Sequence, residues 1–267
     1  MSDQDAQEIQ KQVHELVDCG LVEAYPKGKN PIHCSPTFLV EKKESRTKRM
    51  VGQYKKVNEM TKMHSGFLPN MESMVESLAG CKVKSKLDLR SGLWIVGMSE
   101  RAKEITSFFT PNGQVWRWNI MPFGISSAPA LFQELMERII AEVKENPKIA
   151  KLLEAKDAQN QCFLAAFFDD EWIGSPTIED HLLILEDFFK VFQRQKLCIK
   201  LSKCEFLKEN LEYLGFSIGW GTWRPSSKKV QSIVDFKVKN LKDLRMFLGA
   251  CNPLGDLSRT FRFEVRD

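Results

Sequence analysis

Seven consecutive residues without a charge, Cys162 to Phe168, end abruptly in two adjacent carboxylates, Asp169 and Asp170. The chain then resumes through Trp172-Ile173-Gly174. An apolar run of this length without alternation reads as a central strand covered on both faces, so the fold must supply a layer on each side of a sheet. The acidic pair has two readings. Asp is a common turn residue and could simply close a hairpin. Two like charges so close also repel, and a metal ion would relieve that repulsion.

Around this strand, periodicity predicts a mixture of helices and strands without strict alternation. The expected class is therefore α+β rather than a doubly wound sheet. A helix is predicted from about Gln7 to Asp18, with the stripe Ile9, Val13, Leu16 and Val17 and a stop at Gly20. Thr37–Val40 and Arg49–Val51 flank a charged stretch and predict a hairpin with a basic tip. A short helix over Met71–Ala79 ends at Gly80. An alternating strand follows over Cys81–Leu89, with Val83, Ser85, Leu87 and Leu89 on one side and Lys82, Lys84, Lys86 and Asp88 on the other. Thr106–Thr110 and Val115–Ile120 read as sheet segments joined by Pro111-Asn112-Gly113.

Ser126 or Ser127 is expected to cap a long helix with the stripe Leu131, Leu135, Met136, Ile139, Ile140 and Val143. Another helix, Ile178–Gln195, carries Leu182, Leu185, Phe189 and Phe192. Leu211–Ile218 reads as a strand, and two helices with basic faces follow.

Charge narrows the partners. The formal net charge of +4 hides an asymmetry: residues 1–30 carry three Lys against six acids, whereas 41–62 carry eight basic residues against three acids and 224–245 seven against two. Two separated basic segments could line a groove for a polyanion or be solvated faces. The seven cysteines form no Cys-x-x-Cys and read as reduced thiols, and the four histidines lack ligand spacing for a structural zinc. No apolar run approaches a membrane span, and the start Met1-Ser2-Asp3-Gln4-Asp5 resembles neither a secretory signal nor a transit peptide. The expectation is an intracellular protein, cytoplasmic or nuclear, without a membrane partner.

Asp88 is the natural third carboxylate, on the polar side of its strand just ahead of Arg90-Ser91-Gly92. Three carboxylates from neighbouring strands could hold two Mg²⁺ ions through hard oxygen ligands, activating a 3′ hydroxyl and stabilising a leaving pyrophosphate.

Whole words of the sequence carry a family resemblance. Ser85-Lys86-Leu87-Asp88-Leu89-Arg90-Ser91-Gly92 resembles the first catalytic motif of reverse transcriptases from Ty3/gypsy long-terminal-repeat retrotransposon polyproteins. So do Gly66-Phe67-Leu68-Pro69, Asn119 through Gly124 with Ala128 through Gln133, Leu201 through Phe206, and Glu212-Tyr213-Leu214-Gly215. Cys34-Ser35-Pro36 and Arg49-Met50-Val51 through Asn58 resemble the family's fingers hairpin.

The resemblance implies a right hand: a tail over 1–7, fingers and palm over 8–225, the start of a thumb over 226–252, and a divergent tail over 253–267. It implies that Asp88, Asp169 and Asp170 are the catalytic, metal-binding carboxylates for two Mg²⁺ ions, with Mn²⁺ as a substitute. Arg49, Leu93, Phe123 and Gly124 would meet the incoming dNTP. Phe167, Leu214, Gly215, Lys228 and Lys229 would lie along the template–primer, RNA or DNA.

Several positions depart from the pattern. Phe167 replaces the usual Tyr, and Leu93 replaces the aromatic residue that blocks a ribose 2′-OH. Gln53 stands where Asp is usual, and Glu171, in place of an apolar residue, would add charge at the metals or face solvent. Residues 144–161 form a longer polar insert expected on the surface. The resemblance further implies a polyprotein whose RNase H and integrase parts are separate or lie on a second subunit. The expected function is RNA-directed DNA polymerase. The alternative is a catalytically impaired or domesticated nucleic-acid-binding relic. An RNA-dependent RNA polymerase is disfavoured because Phe168 fills the place of its Gly-Asp-Asp glycine.

Overall fold

The computed structural model of the chain describes residues 2–41, 47–62, 70–89, 92–154, 161–168, 170–213 and 215–255, and of Leu93 and residues 252–255 only the backbone. The expected basic hairpin tip, the Phe67-Leu68-Pro69 segment and the tail beyond residue 255 therefore lie outside the described residues, wholly or in large part.

Helix α1 (Asp3–Asp18) begins four residues before Gln7, because Ser2 caps it by accepting the Asp5 N–H, so residues 3–7 are its opening turns rather than a tail. Its Ile9 and Val13 are buried against strand β1 (Val22–Ala24) and the hairpin β2 (Ser35–Glu41) and β3 (Lys48–Gly52). Helices α2 (Lys55–Met60) and α3 (Met71–Ala79) follow, the second with Asn70 as N-cap and Gly80 as C-cap. Strand β4 (Val83–Asp88), a 3-10 turn at Gly92–Ile95, helix α4 (Glu100–Ile105) and strands β5 (Phe108–Phe109) and β6 (Val115–Trp118) come next. The strand expected from Thr106 begins only at Phe108, because Thr106 is the C-cap of α4. One five-stranded sheet, in the order β1-β6-β5-β2-β3, gathers the N-terminal strands.

The second half opens with helices α5 (Ala128–Lys144) and α6 (Pro147–Leu153) and strands β7 (Phe163–Phe167) and β8 (Asp170–Ser175). Helix α7 (Ile178–Gln195), a 3-10 turn at Leu201–Lys203 and strand β9 (Glu205–Lys208) follow. The chain continues through β10 (Leu211–Tyr213), β11 (Phe216–Ile218), β12 (Trp223–Pro225), α8 (Ser227–Val234) and α9 (Leu241–Gly255).

The central sheet runs β7-β8-β4-β9, so the apolar strand β7 is an edge strand and not a central one. It is apolar on both faces because both are covered. One face packs Leu164 and Ala166 against α5, α6 and α7. On the other, Phe163, Ala165 and Phe167 meet α3 and the small sheet β10-β11-β12.

Other expectations shift for equally local reasons. Leu211–Ile218 is not one strand: Leu211 pairs with Ile218 and Tyr213 with Phe216, a tight hairpin turned by Gly215 at φ +83°. On α7 the buried stripe is His181, Ile184, Leu185, Phe188, Val191 and Phe192, leaving Leu182 and Phe189 exposed. Leu131 of α5 is likewise exposed. The insert expected on the surface forms α6, which Asn146 caps, and drives Ile149 into the core; residues 155–160 lie outside the described residues.

Candidate active site

Strands β4 and β8 pair antiparallel with Asp88 directly opposite Asp170, and alternation puts both on the face that carries Lys86 and Trp172. Directly opposed residues have Cβ atoms about 5 Å apart, where like charges destabilise the pairing. Among the described residues, Lys86 Nζ lies 3.0 Å from Asp170 Oδ1 and Lys203 Nζ 3.9 Å from Asp88 Oδ2. The two carboxylates remain 18% and 25% exposed, so solvent reaches them. Burial raises the Asp170 pKa, and the hydrogen bond from Lys86 opposes that shift. Asp169 lies outside the described residues. Among the described residues no three His, Cys, Asp or Glu side chains gather to hold a metal ion.

The backbone of Asp88 is clamped by the segment around the second 3-10 turn. Its carbonyl accepts the Lys200 N–H at 2.7 Å, and its N–H donates to Cys204 Sγ at 3.4 Å. This is a local task for the Leu201–Phe206 word, which sequence reasoning recognised without assigning one.

Two polar residues of the sheet do not sit where the sequence suggests. Glu171 is fully buried, opposite Leu87 and Ala166 on the helix-covered face, so it neither faces solvent nor shares the face of Asp88 and Asp170. Lys84, on the expected polar side, is also fully buried, and its ammonium donates to the carbonyls of Cys81 and Glu209. Burial lowers its pKa. The face is polar only at its open end, because the small sheet covers the rest.

Beside Asp170, the Phe167 ring packs edge-on to Phe168 at 4.8 Å and to Tyr213 at 6.4 Å, and Tyr213 lies 4.0 Å from Trp172. These rings form an aromatic floor under the open end of the sheet.

A second group of expected residues converges on Phe123. The Arg49 guanidinium stacks over its ring at 4.7 Å, a cation–π contact, and Trp94 lies 5.9 Å from it. Trp94 belongs to the 3-10 turn that follows Asp88 in sequence, and the Met121 N–H donates to Val96 O at 2.8 Å. The Arg49–Phe123 pair is thereby tied to the chain that leaves the carboxylates. Leu93 lies on the same turn, described by its backbone alone.

Gly124 has φ +98°, a conformation that side chains disfavour. Asn58 holds this turn with both ends of its amide: Nδ2 donates to Gly124 O at 2.8 Å, and Oδ1 accepts the Ser126 N–H at 2.9 Å. Behind it, the buried Tyr54 hydroxyl donates to Thr106 O and accepts from Trp118 Nε1. Asn58 stands inside a recognised word, yet only the folded turn reveals its role.

The residues expected along the primer part ways. Lys229 folds back over the Phe216 ring at 4.2 Å and against Gly215, where an added Cβ would sit 2.7 Å from its Cδ. Burial lowers its pKa. Lys228 is exposed, with Glu212 3.9 Å away. Leu214 lies outside the described residues.

A family model described as "Reverse transcriptase (RNA-dependent DNA polymerase)" matches residues 40–218. The chain is 30% identical over 253 residues to the enzymatic polyprotein of Figwort mosaic virus (strain DxS), covering 93% of this chain and 35% of that one. It is 28% identical over 243 residues to the Transposon Tf2-3 polyprotein of Schizosaccharomyces pombe, covering 91% of this chain and 17% of that one. It therefore spans about a third or less of the curated relatives it matches. Among solved structures, it resembles the foamy viral protease-reverse transcriptase dRH in complex with double-stranded DNA, with TM-score 0.77, 23% identity, and coverage of 94% of this chain and 40% of that one. The same viral protein in complex with an RNA/DNA hybrid gives TM-score 0.73 at 24% identity, over 94% of this chain and 31% of that one. These likenesses establish the α+β right-hand fold.

Proposed function

From the premise that this chain belongs to the reverse transcriptase (RNA-dependent DNA polymerase) family, we propose that it extends a primer along an RNA or DNA template with dNTPs. The observation that carries this reading is the direct opposition of Asp88 and Asp170 on one open sheet face. Directly opposed like charges destabilise a strand pair, and here Lys86 and Lys203 stand beside them at an end of the sheet that solvent reaches.

The donor set fits a divalent cation. Both carboxylates offer hard oxygens and remain reachable by solvent, and Asp169 is adjacent in sequence. In this reading Asp88, Asp169 and Asp170 would hold two Mg²⁺ ions, with Mn²⁺ as a substitute. When bound, the ions supply Lewis-acid activation of the primer hydroxyl and charge neutralisation at the departing pyrophosphate.

The chain's own residues do the rest. Arg49 presents a fixed positive charge for the triphosphate, braced on Phe123. Phe123 and Gly124 offer a flat surface to the nucleotide, with Asn58 holding their turn. Leu93 occupies the sequence position at which the resemblance implies a ribose-facing residue. In this reading Phe167, Gly215 and the exposed Lys228 lie on the primer side, while Lys229 braces that hairpin against Phe216 and Gly215. In this reading the chain from α1 to residue 225 serves as fingers and palm and 226–252 as the start of the thumb, and RNase H and integrase functions would come from other parts of a longer polyprotein or from a second subunit.

The test is Asp88→Asn in a primer-extension assay. Turnover should fall at least about a thousandfold while template–primer affinity and melting temperature change little. An Asp88→Asn protein that extends primers at the wild-type rate would end this reading.

A further inference from the structure

The turn between β7 and β8 joins Phe167 to Asp170, which are paired across the hairpin, and its first residue, Phe168, has φ +53°. A bulky non-glycine residue in this left-handed region is strained and persists only where its surroundings hold it. The holder is visible. Gln133, on α5 and 1% exposed, accepts the Phe168 N–H on Oε1 at 3.0 Å. Its Nε2 donates to Ala166 O at 2.9 Å and to Glu137 Oε1 at 3.2 Å.

The geometry has a simple cause. Among the described residues β7 is an edge strand, and no described strand pairs with the outer side of its backbone. A carboxamide carries one acceptor and one donor group, the pair that the next strand would have offered. Gln133 satisfies a C=O and an N–H of β7 and its turn two residues apart, as one residue of a missing strand would. The amide orientation is forced, since only Oε1 can accept from an N–H.

We propose that Gln133 is a positioning residue of the polymerase site: its carboxamide locks Phe168 in the left-handed turn and thereby fixes where β8 opens and where Asp170 points. This rests on the reading of Asp170 as a functional carboxylate. Gln133 itself touches no reacting atom.

The experiment compares Gln133→Met, which keeps volume and apolar packing, with the double variant Gln133→Met/Phe168→Gly. Glycine adopts the left-handed turn without help, so it should replace the lock but not a packing role. Gln133→Met should fold with near-wild-type melting, lose protection of the Phe168 amide in hydrogen exchange, and drop kcat about tenfold, with template–primer Kd unchanged. Adding Phe168→Gly should recover most of that kcat. Two results would overturn the proposal: unchanged exchange at Phe168 in a folded Gln133→Met protein, or a kcat loss that Phe168→Gly leaves in place. If the wild-type chain does not polymerise, the proposed function fails instead, and the exchange measurement still tests the lock.

Discussion

Gly124 sits at φ +98°, and an added Cβ would find only ordinary contacts, the nearest being Gly52 O at 3.5 Å. The cost of Gly124→Ala is therefore backbone strain and not collision, about 1–2 kcal/mol. Since Asn58 grips the carbonyl of this residue, the strain should be relieved by tilting the turn that carries Phe123. Steady-state kinetics should show KM for dNTP raised about tenfold with kcat little changed; an unaltered KM would detach this turn from nucleotide binding. Leu93 belongs to the same scale. A leucine is shorter than an aromatic ring, so exclusion of ribonucleotides should be weaker than in a Leu93→Phe variant. Competing rNTP against dNTP incorporation measures it, and equal discrimination by the two proteins would sink the idea.

Among the elements, the junction of β4, β8, α7 and β9 is held by one buried histidine. Ser175 Oγ donates to Thr177 O, so His181 Nδ1–H donates to Ser175 Oγ, and His181 Nε2 accepts from Ser85 Oγ–H, which in turn accepts the Leu207 N–H. Every role in this chain requires neutral imidazole. Burial pushes the His181 pKa down to about 4 from an ordinary 6.5. A depressed folded pKa means the unfolded chain takes up its proton first as pH falls. The contribution is thus complete above about pH 6.5 and is lost progressively down to about pH 4, roughly 2 kcal/mol of it by pH 5. Urea midpoints of wild type and His181→Gln should differ most at pH 7 and draw together at pH 5. A gap independent of pH would contradict the assignment.

The same junction shows what the sequence could and could not tell. The end of α3 is readable from Gly80, whereas the caps Asn70 and Thr177 at the starts of α3 and α7 are found in the folded chain. Strand alternation placed Asp88 and Lys86 on one face correctly. It could not reveal that Lys84 is buried on that face, since burial there depends on a hairpin more than 120 residues later. Nor could an apolar run distinguish a central strand from an edge strand covered on both sides. Phe123 and Arg49 were readable as words of a resemblance, whereas Gln133 and Asn58 act through backbone groups that exist only once the turns have formed.

On the scale of the whole molecule, the basic residues divide into those that can meet a polyanion and those spent on the fold. Lys228 is exposed, but Lys229 is tucked against Phe216 and Gly215. Counter-ion release predicts that Lys228→Ala reduces the salt slope of template–primer binding by nearly one, whereas Lys229→Ala should chiefly lower stability. Equal slopes for wild type and Lys228→Ala would remove this helix from the binding surface. No helix among the described residues is long and apolar enough to cross a membrane. The central claim is that the open end of the β4–β8 pair is a polymerase site, and primer extension on a homopolymer RNA template with dNTPs tests it most directly. Wild-type protein should extend the primer with Mg²⁺ or Mn²⁺, and Asp169→Asn should bind the same template–primer without extending it. A folded, template-binding wild-type chain that extends nothing with either ion would contradict the account.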